Sequence, residues 1–75
     1  MYVEDPKKTL ARNLNRLIKR YKRQTGISYS EFCRRTGIPR SVLHETKAGA
    51  TWPTAETLRK ICSQMEIPVE VLFRR

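Results

Sequence analysis

The stretch from Arg40 to Lys47 carries the side chains with the most chemistry in this chain. In helical spacing its polar residues face outward, away from the side that carries Val42, Leu43 and Thr46. The outward residues are Arg40, Ser41, His44, Glu45 and Lys47. Together they offer hydrogen-bond donors, acceptors and positive charge on one surface of a short helix. This face could either catalyse a reaction or bind a partner.

Catalysis is disfavoured because His44, the only histidine, has no suitable companions. Its neighbour Glu45 would point about 100° away on a helix, and no serine or cysteine nucleophile is placed to complete a relay. We therefore expect no catalytic residues and no enzyme activity. The two cysteines, Cys33 and Cys62, lack the spacing of a zinc site, so we expect no metal and no cofactor. They are interpreted as buried, reduced thiols, with a disulfide between them as the alternative.

Two short helices joined by a tight turn must position the polar face. Ser28 and Glu31 have the spacing of a capping box, in which each side chain bonds the other residue's amide, and they predict helix 2 at about 28–36. Ile27 and Phe32 have the spacing of a hydrophobic staple around that cap. Gly37 then ends helix 2 in a left-handed conformation. Since proline fits before or at the first turn of a helix, Pro39 predicts helix 3 at about 40–47.

A longer helix 1 should precede this pair. Asp5 is a candidate N-cap with Pro6 in the first turn, and Gly26 is the predicted stop. The helix has one apolar stripe, consisting of Leu10, Leu14, Leu17, Ile18 and Tyr21. Its opposite side is basic, with Arg12, Arg16, Lys19, Arg20 and Arg23. That side either is simply solvated or contacts phosphates directly.

The remaining chain supplies more core. Thr54 is a natural N-cap for helix 4, predicted from about Ala55 to Met65, with an apolar stripe of Leu58, Ile61, Cys62 and Met65. We expect Trp52 to pack over the core rather than to contact a partner. The segment from Val69 to Phe73 forms helical turns or a short strand, and we favour the helix. The predicted fold is all-α, a compact bundle of about five short helices.

Composition limits the domain count and the partner. With 75 residues the chain should form an N-terminal tail, residues 1–5, and a single domain, residues 6–75. The 16 Lys and Arg outnumber the 7 Asp and Glu, a net charge of +9 that indicates a polyanionic partner. Residues 7–47 alone contribute twelve basic and two acidic side chains. A membrane surface is a poor alternative, because helix 1 needs its apolar stripe for the core. Without a signal-peptide pattern, we expect a cytoplasmic protein.

The order of these features resembles a known family. The sequence ISYSEFCRRTGIPRSVLHETKAGATWPTAETLRKICSQMEIPVEVLF is similar to the lambda-repressor-like, Cro/Xre-type helix-turn-helix domain. The similar positions are Phe32, Cys33, Gly37, Leu43, Gly49, Pro53, Thr54 and the stretch 67–72. The family places helix 3 in the major groove as a recognition helix, with helix 2 across the backbone. The resemblance therefore implies binding to double-stranded DNA.

Residue roles follow from the resemblance. The positions facing the bases would be Arg40, Ser41, His44 and Glu45, together with Val42 if it leaves the core for the groove. Arg40 would bind guanine, while Glu45 would accept from cytosine, hold Arg40 or have no partner. The phosphate candidates are Tyr29, Ser30, Lys47, Lys22, Arg34 and Arg35.

Three features depart from the family pattern. Tyr29 replaces a common glutamine, and its hydroxyl could donate to a phosphate but could not copy an amide. Lys22 and Lys47 occupy positions that often form an ion pair, so these two lysines would splay apart or bind phosphates. Glu66 stands where a glycine is common before the last helix.

The predicted function is that of a sequence-specific transcriptional regulator, repressor-like, acting as a homodimer on a palindromic operator. The candidate dimer interface consists of Val69, Val71, Leu72 and Phe73. A domain of a longer protein could supply dimerisation instead. The alternative function is an antitoxin-type module of the same fold, whose main partner is a protein.

Overall fold

The computed structural model describes residues 5–74, which form four α-helices and a 3₁₀ helix. In chain order these are α1 (Pro6–Thr25), α2 (Tyr29–Thr36), α3 (Arg40–Lys47), α4 (Ala55–Met65) and the 3₁₀ helix (Val69–Phe73). No strand occurs in this part of the chain. The all-α fold and both helices of the helix-turn-helix are confirmed. Most of the predicted tail, residues 1–5, lies outside the described residues, and the domain boundary stays a prediction.

The predicted caps explain where the helices begin and end. The side chains of Asp5, Ser28 and Thr54 each accept a bond from a backbone N–H in the first turn of α1, α2 and α4, at 3.0, 3.2 and 3.1 Å. Gly26 and Gly37 end α1 and α2, both with φ of 75°. That left-handed conformation is the one glycine adopts without a steric penalty.

Only half of the predicted capping box forms. Ser28 accepts from the Glu31 amide, but the Glu31 carboxylate does not return to the Ser28 amide. It bonds the guanidinium groups of Arg34 and Arg35 instead, with 2.9 Å between Arg35 Nε and Glu31 Oε2. The carboxylate thus makes two charge-assisted bonds to fully charged guanidinium groups, in place of one charge-assisted bond to a backbone amide.

The core lies where α1, α2, α3, α4 and the 3₁₀ helix meet. α1 packs against α3 and the 3₁₀ helix, while α2 packs against α3 and α4. The fully buried apolar side chains are Leu10, Leu14, Phe32, Leu43, Ile61 and Leu72. Cys33 and Cys62 are buried and free, which confirms their interpretation as small apolar thiols.

Two predictions about aromatic and apolar side chains near the C-terminus are wrong. Trp52 does not pack over the core; it is 52% exposed, and its ring lies 6.4 Å from that of Phe73. Leu72 is fully buried, so it cannot belong to a dimer surface. The 3₁₀ helix directs Leu72 into the core and Phe73 outward, where the Phe73 ring lies beside the Trp52 indole.

A buried amide on α1 holds the end of the described chain. The Asn13 side chain donates to the carbonyl oxygens of Leu72 at 2.8 Å and Arg74 at 2.6 Å. Asn13 is itself only 1% exposed. These bonds fix the 3₁₀ helix against α1 because buried carbonyl groups need partners.

Candidate nucleic-acid interface

Helix α3 presents five neighbouring side chains to solvent. Leu43 and Thr46 point into the core, and the Thr46 hydroxyl donates to the Val42 carbonyl at 3.0 Å. The exposed residues are Arg40, Ser41, Val42, His44 and Glu45. Val42 is 38% exposed, so its first assignment to the core is wrong. Leu43 and Thr46 already fill the inward side, which leaves Val42 at the edge of the outward face.

The C-terminal end of α3 is fastened to α1. Asn15 on α1 donates from Nδ2 to the Lys47 carbonyl at 2.8 Å. Gly49, just after the helix, has φ of 74°, and a Cβ there would lie 3.5 Å from Ala11 Cβ. Residue 49 therefore combines a left-handed backbone with a close approach to α1. The bond and the close approach fix the orientation of α3 relative to the rest of the domain.

One edge of α3 places two cations against an aromatic ring of α2. The Arg40 guanidinium carbon lies 5.3 Å from the centroid of the Tyr29 ring, and Lys47 Nζ lies 4.2 Å from it. Arg40 Nη1 also makes a long bond of 3.4 Å to Ser30 Oγ. Cations within about 6 Å of a ring centroid are attracted by its quadrupole. The first residue of α2 thus contacts both ends of α3.

The Tyr29 hydroxyl is not available to a phosphate, contrary to the prediction. Its oxygen is buried and makes no hydrogen bond with any residue between 5 and 74. Burial is the main reason that the pKa of Tyr29 is raised, with Cys33 acting in the same direction and Arg40 opposing. The hydroxyl points inward because the ring packs against the core, so Tyr29 presents a ring and not a donor.

Lys22 and Lys47 line the same concavity. This cavity of about 150 Å³ lies between α1, the start of α2 and the end of α3, and Lys19 and Ser28 also line it. Lys22 is exposed, whereas Lys47 is half-buried on the Tyr29 ring. The predicted alternatives were splayed lysines or phosphate contacts, and neither included the ring contact that Lys47 makes.

The other two predicted phosphate residues, Arg34 and Arg35, lie on the outer side of α2. Both are bound to the Glu31 carboxylate. The hydrogen bond from Arg35, with smaller contributions from Arg34, lowers the pKa of Glu31. Their positive charge is therefore partly neutralised, unlike that of Lys22.

Comparison with protein families now identifies the domain. The model of the Cro/C1-type HTH DNA-binding domain matches residues 13–74. This chain belongs to that family. The match spans α2, α3 and α4, the 3₁₀ helix and most of α1. Comparisons with curated proteins and with solved structures give no match.

Membership in the Cro/C1-type family confirms the resemblance seen in the sequence and makes the chain a DNA-binding domain. Within residues 5–74, no helix is long and apolar enough to cross a membrane. The same residues contain no group of three or more side chains that could hold a metal ion.

The sequence did not reveal the contact that Asn15 makes, and it assigned the wrong part of Tyr29 to binding. Asn15 looked like an ordinary polar residue on α1, and nothing in its spacing indicated the bond to Lys47. Tyr29 was recognised as unusual, but its role was assigned to the hydroxyl. A usable signal was present: Arg40 and Lys47 are seven residues apart, so both lie on one edge of a helix.

Proposed function

We propose that this protein is a sequence-specific transcriptional regulator, repressor-like, that inserts α3 into the major groove of double-stranded DNA. The observation that carries the proposal is the outward face of α3, on which Arg40, Ser41, Val42, His44 and Glu45 are exposed. The C-terminal end of this helix is bonded to α1 through Asn15. A face of donors, acceptors and one methyl-bearing side chain matches what base edges present in that groove. We infer a cytoplasmic location from the same function.

Each side chain of this face has a chemical counterpart among the bases. Arg40 offers paired N–H groups to O6 and N7 of guanine, and Glu45 accepts from the cytosine amino group. His44 and Ser41 donate or accept at base edges, while the Val42 methyl groups suit the thymine methyl. Arg40 is the strongest candidate, because a good bidentate contact is worth about 1–3 kcal/mol of discrimination.

Phosphate contacts would flank this face. Lys22 and Lys47 line the same cavity as Ser28 and Tyr29 at the N-terminus of α2, and Ser30 is exposed there. A helix N-terminus attracts anions because its amides and dipole both favour negative charge. Arg34 and Arg35 would contribute less, since they are bound to Glu31.

A homodimer on a palindromic operator would give useful affinity. Half-sites bound by helix-turn-helix dimers lie about one helical turn, ~34 Å, apart. With Leu72 excluded, the candidate dimer surface is Val69, Val71 and Phe73, to which the structure adds the exposed Trp52. Of these side chains, Val69, Phe73 and Trp52 are exposed and Val71 is half-buried. The exposed ones also support the second candidate function, an antitoxin-type module that binds another protein.

Selection of bound sequences from a random DNA pool tests the proposal. The wild-type protein should enrich a palindrome, and Arg40→Ala should lose preference at one base pair per half-site by about tenfold, within the 1–3 kcal/mol of a bidentate contact.

Lys47→Ala should weaken binding to all sequences and reduce the slope of log K against log[salt] by about 1. Arg59→Ala, on the exposed side of α4, is the charge-matched control. If both Arg40→Ala and Lys47→Ala bound the selected operator as tightly as the wild type, the proposal would be refuted. A protein partner without any enriched sequence would favour the second candidate.

A further inference from the structure

We propose that Tyr29 is a positioning residue whose ring arranges Arg40 and Lys47 for DNA before DNA arrives. This inference rests on the proposed function of α3. It differs from a direct contact, because the Tyr29 hydroxyl is buried and the ring alone meets the two cations. One aromatic side chain would thus set the geometry of one base-reading group and one phosphate-binding group.

The helical geometry makes this double contact possible. Arg40 and Lys47 are seven residues apart, two turns or about 10.5 Å along the axis of α3. Both therefore lie on the edge of α3 that faces the start of α2. Their long side chains converge on the ring, since Lys47 Nζ is 4.2 Å and the Arg40 guanidinium carbon 5.3 Å from its centroid.

The type of contact leaves both cations competent to bind DNA. Attraction to a ring uses the positive charge and no particular N–H group, so N–H groups other than the one that Arg40 Nη1 directs at Ser30 Oγ stay available to guanine or to phosphate. An arginine held in one arrangement loses less side-chain entropy on binding than one that moves freely. A leucine at residue 29 would fill similar space without this attraction.

The ring can act as a platform because the core fixes it. Tyr29 packs against the buried cluster, and its hydroxyl lies inward without a hydrogen-bond partner in residues 5–74. A phenylalanine would keep the ring and remove an unpaired buried polar group. The proposal thus separates the ring, which is needed, from the hydroxyl, which is not.

The placement is tested without DNA by NMR of the whole chain. Protons on the Lys47 ε-carbon and the Arg40 δ-carbon should be shifted upfield by the ring current in the wild type and in Tyr29→Phe. The shifts should disappear in Tyr29→Leu. If the wild-type protons have the shifts of a solvated lysine and arginine, the proposal is overturned whatever the protein does with DNA.

The consequence is tested by a double-mutant cycle on the selected operator and on a copy with the Arg40 base pair changed. Tyr29→Leu should reduce discrimination between these two duplexes by about two- to fivefold, the effect expected from losing one exposed cation–π contact. It should have no such effect when Arg40→Ala is present. Tyr29→Phe should restore wild-type discrimination. On a random duplex, Tyr29→Leu should weaken binding about two- to fivefold, and Lys47→Ala should abolish that effect.

A matched control separates positioning from folding. Tyr21 also contacts the core, with its ring edge-on to Phe32 at 5.7 Å and its hydroxyl accepting from Gln64. Tyr21→Leu should lower the melting temperature without changing discrimination. Unchanged or tighter binding by Tyr29→Leu would overturn the proposal, because the ring would then be a bystander or a restraint. If no operator is selected at all, the proposed function fails, while the NMR and random-duplex measurements still decide the role of Tyr29.

Discussion

Glu66 is the one non-glycine residue between 5 and 74 with a positive φ, at φ 57° and ψ 46°. It ends α4, the position where the family often has glycine, and its amide caps the helix. A left-handed conformation costs a residue with a Cβ about 1–3 kcal/mol. Glycine avoids this cost, but part of the gain in stability is lost because glycine has more conformational freedom in the unfolded chain.

We predict that Glu66→Gly stabilises the domain by about 0.5–1 kcal/mol. Urea unfolding followed by circular dichroism gives the free energy of unfolding. Glu66→Ala is the matched control, because it removes the carboxylate but keeps the Cβ, and it should give no such gain. Equal stabilisation by both variants would place the effect in the charge and not in the backbone.

Asn13 shows which residue roles a single sequence conceals. Asn13 is one of two asparagines in a basic helix and belongs to no pattern of spacing, yet its amide joins α1 to two carbonyl groups about sixty positions later. The bond depends on where the 3₁₀ helix docks, and local preferences do not contain that information. The exposed positions of α3 were easier to predict, because one buried stripe on a helix fixes the opposite face.

Removal of the Asn13 amide should destabilise the fold strongly. Asn13→Ala would leave the carbonyls of Leu72 and Arg74 without this donor. The free energy of unfolding should fall because the Leu72 carbonyl is buried. We expect a cost of about 2–3 kcal/mol in urea unfolding. Gln24→Ala, at an exposed position of the same helix, should stay within about 0.5 kcal/mol of wild type. A small effect of Asn13→Ala would mean that apolar packing alone holds the 3₁₀ helix.

At the scale of helices, start and stop residues were sufficient to predict where several helices begin and end. Asp5, Ser28 and Thr54 begin three helices and Gly37 ends one, because each satisfies or relieves the backbone locally. The partner of the Glu31 carboxylate was not predictable in the same way. The capping residue and two arginines compete for it, and only the side-chain geometry decides.

The Glu31 network should make the stability of α2 depend on pH. Its arginine partners lower the pKa of Glu31 below the ordinary 4.5. The carboxylate therefore contributes stability above pH 4.5, and this contribution is lost as the pH falls through the lower pKa of the folded state. We predict that the melting temperature of the wild type falls more steeply below pH 4.5 than that of Glu31→Gln. High salt should reduce this difference between the two proteins because the side chains of Arg34 and Arg35 are exposed. Parallel melting-temperature profiles would show that the network adds no stability.

At the scale of the whole molecule, apolar side chains near the C-terminus divide into two groups. Leu72 completes the core, whereas Phe73, Val69 and Trp52 remain exposed, with the Trp52 and Phe73 rings side by side. Four of the five residues from Val69 to Phe73 are apolar, more than one face of so short a helix can bury. Which of them is the surplus depends on how the 3₁₀ helix turns relative to α1, and so required the structure.

The two groups predict opposite results for neighbouring substitutions. Phe73→Ser should leave the free energy of unfolding within about 0.5 kcal/mol of wild type, as for an exposed site, while it weakens self-association and cooperative binding to two half-sites. Leu72→Ala should cost about 2–5 kcal/mol of stability, as for a leucine removed from a core. Sedimentation equilibrium and binding to one or two half-sites measure association, and urea unfolding measures stability. If Phe73→Ser dimerises and binds paired half-sites as the wild type does, the exposed aromatic pair is not the dimer contact, and a partner protein becomes the better explanation for its exposure.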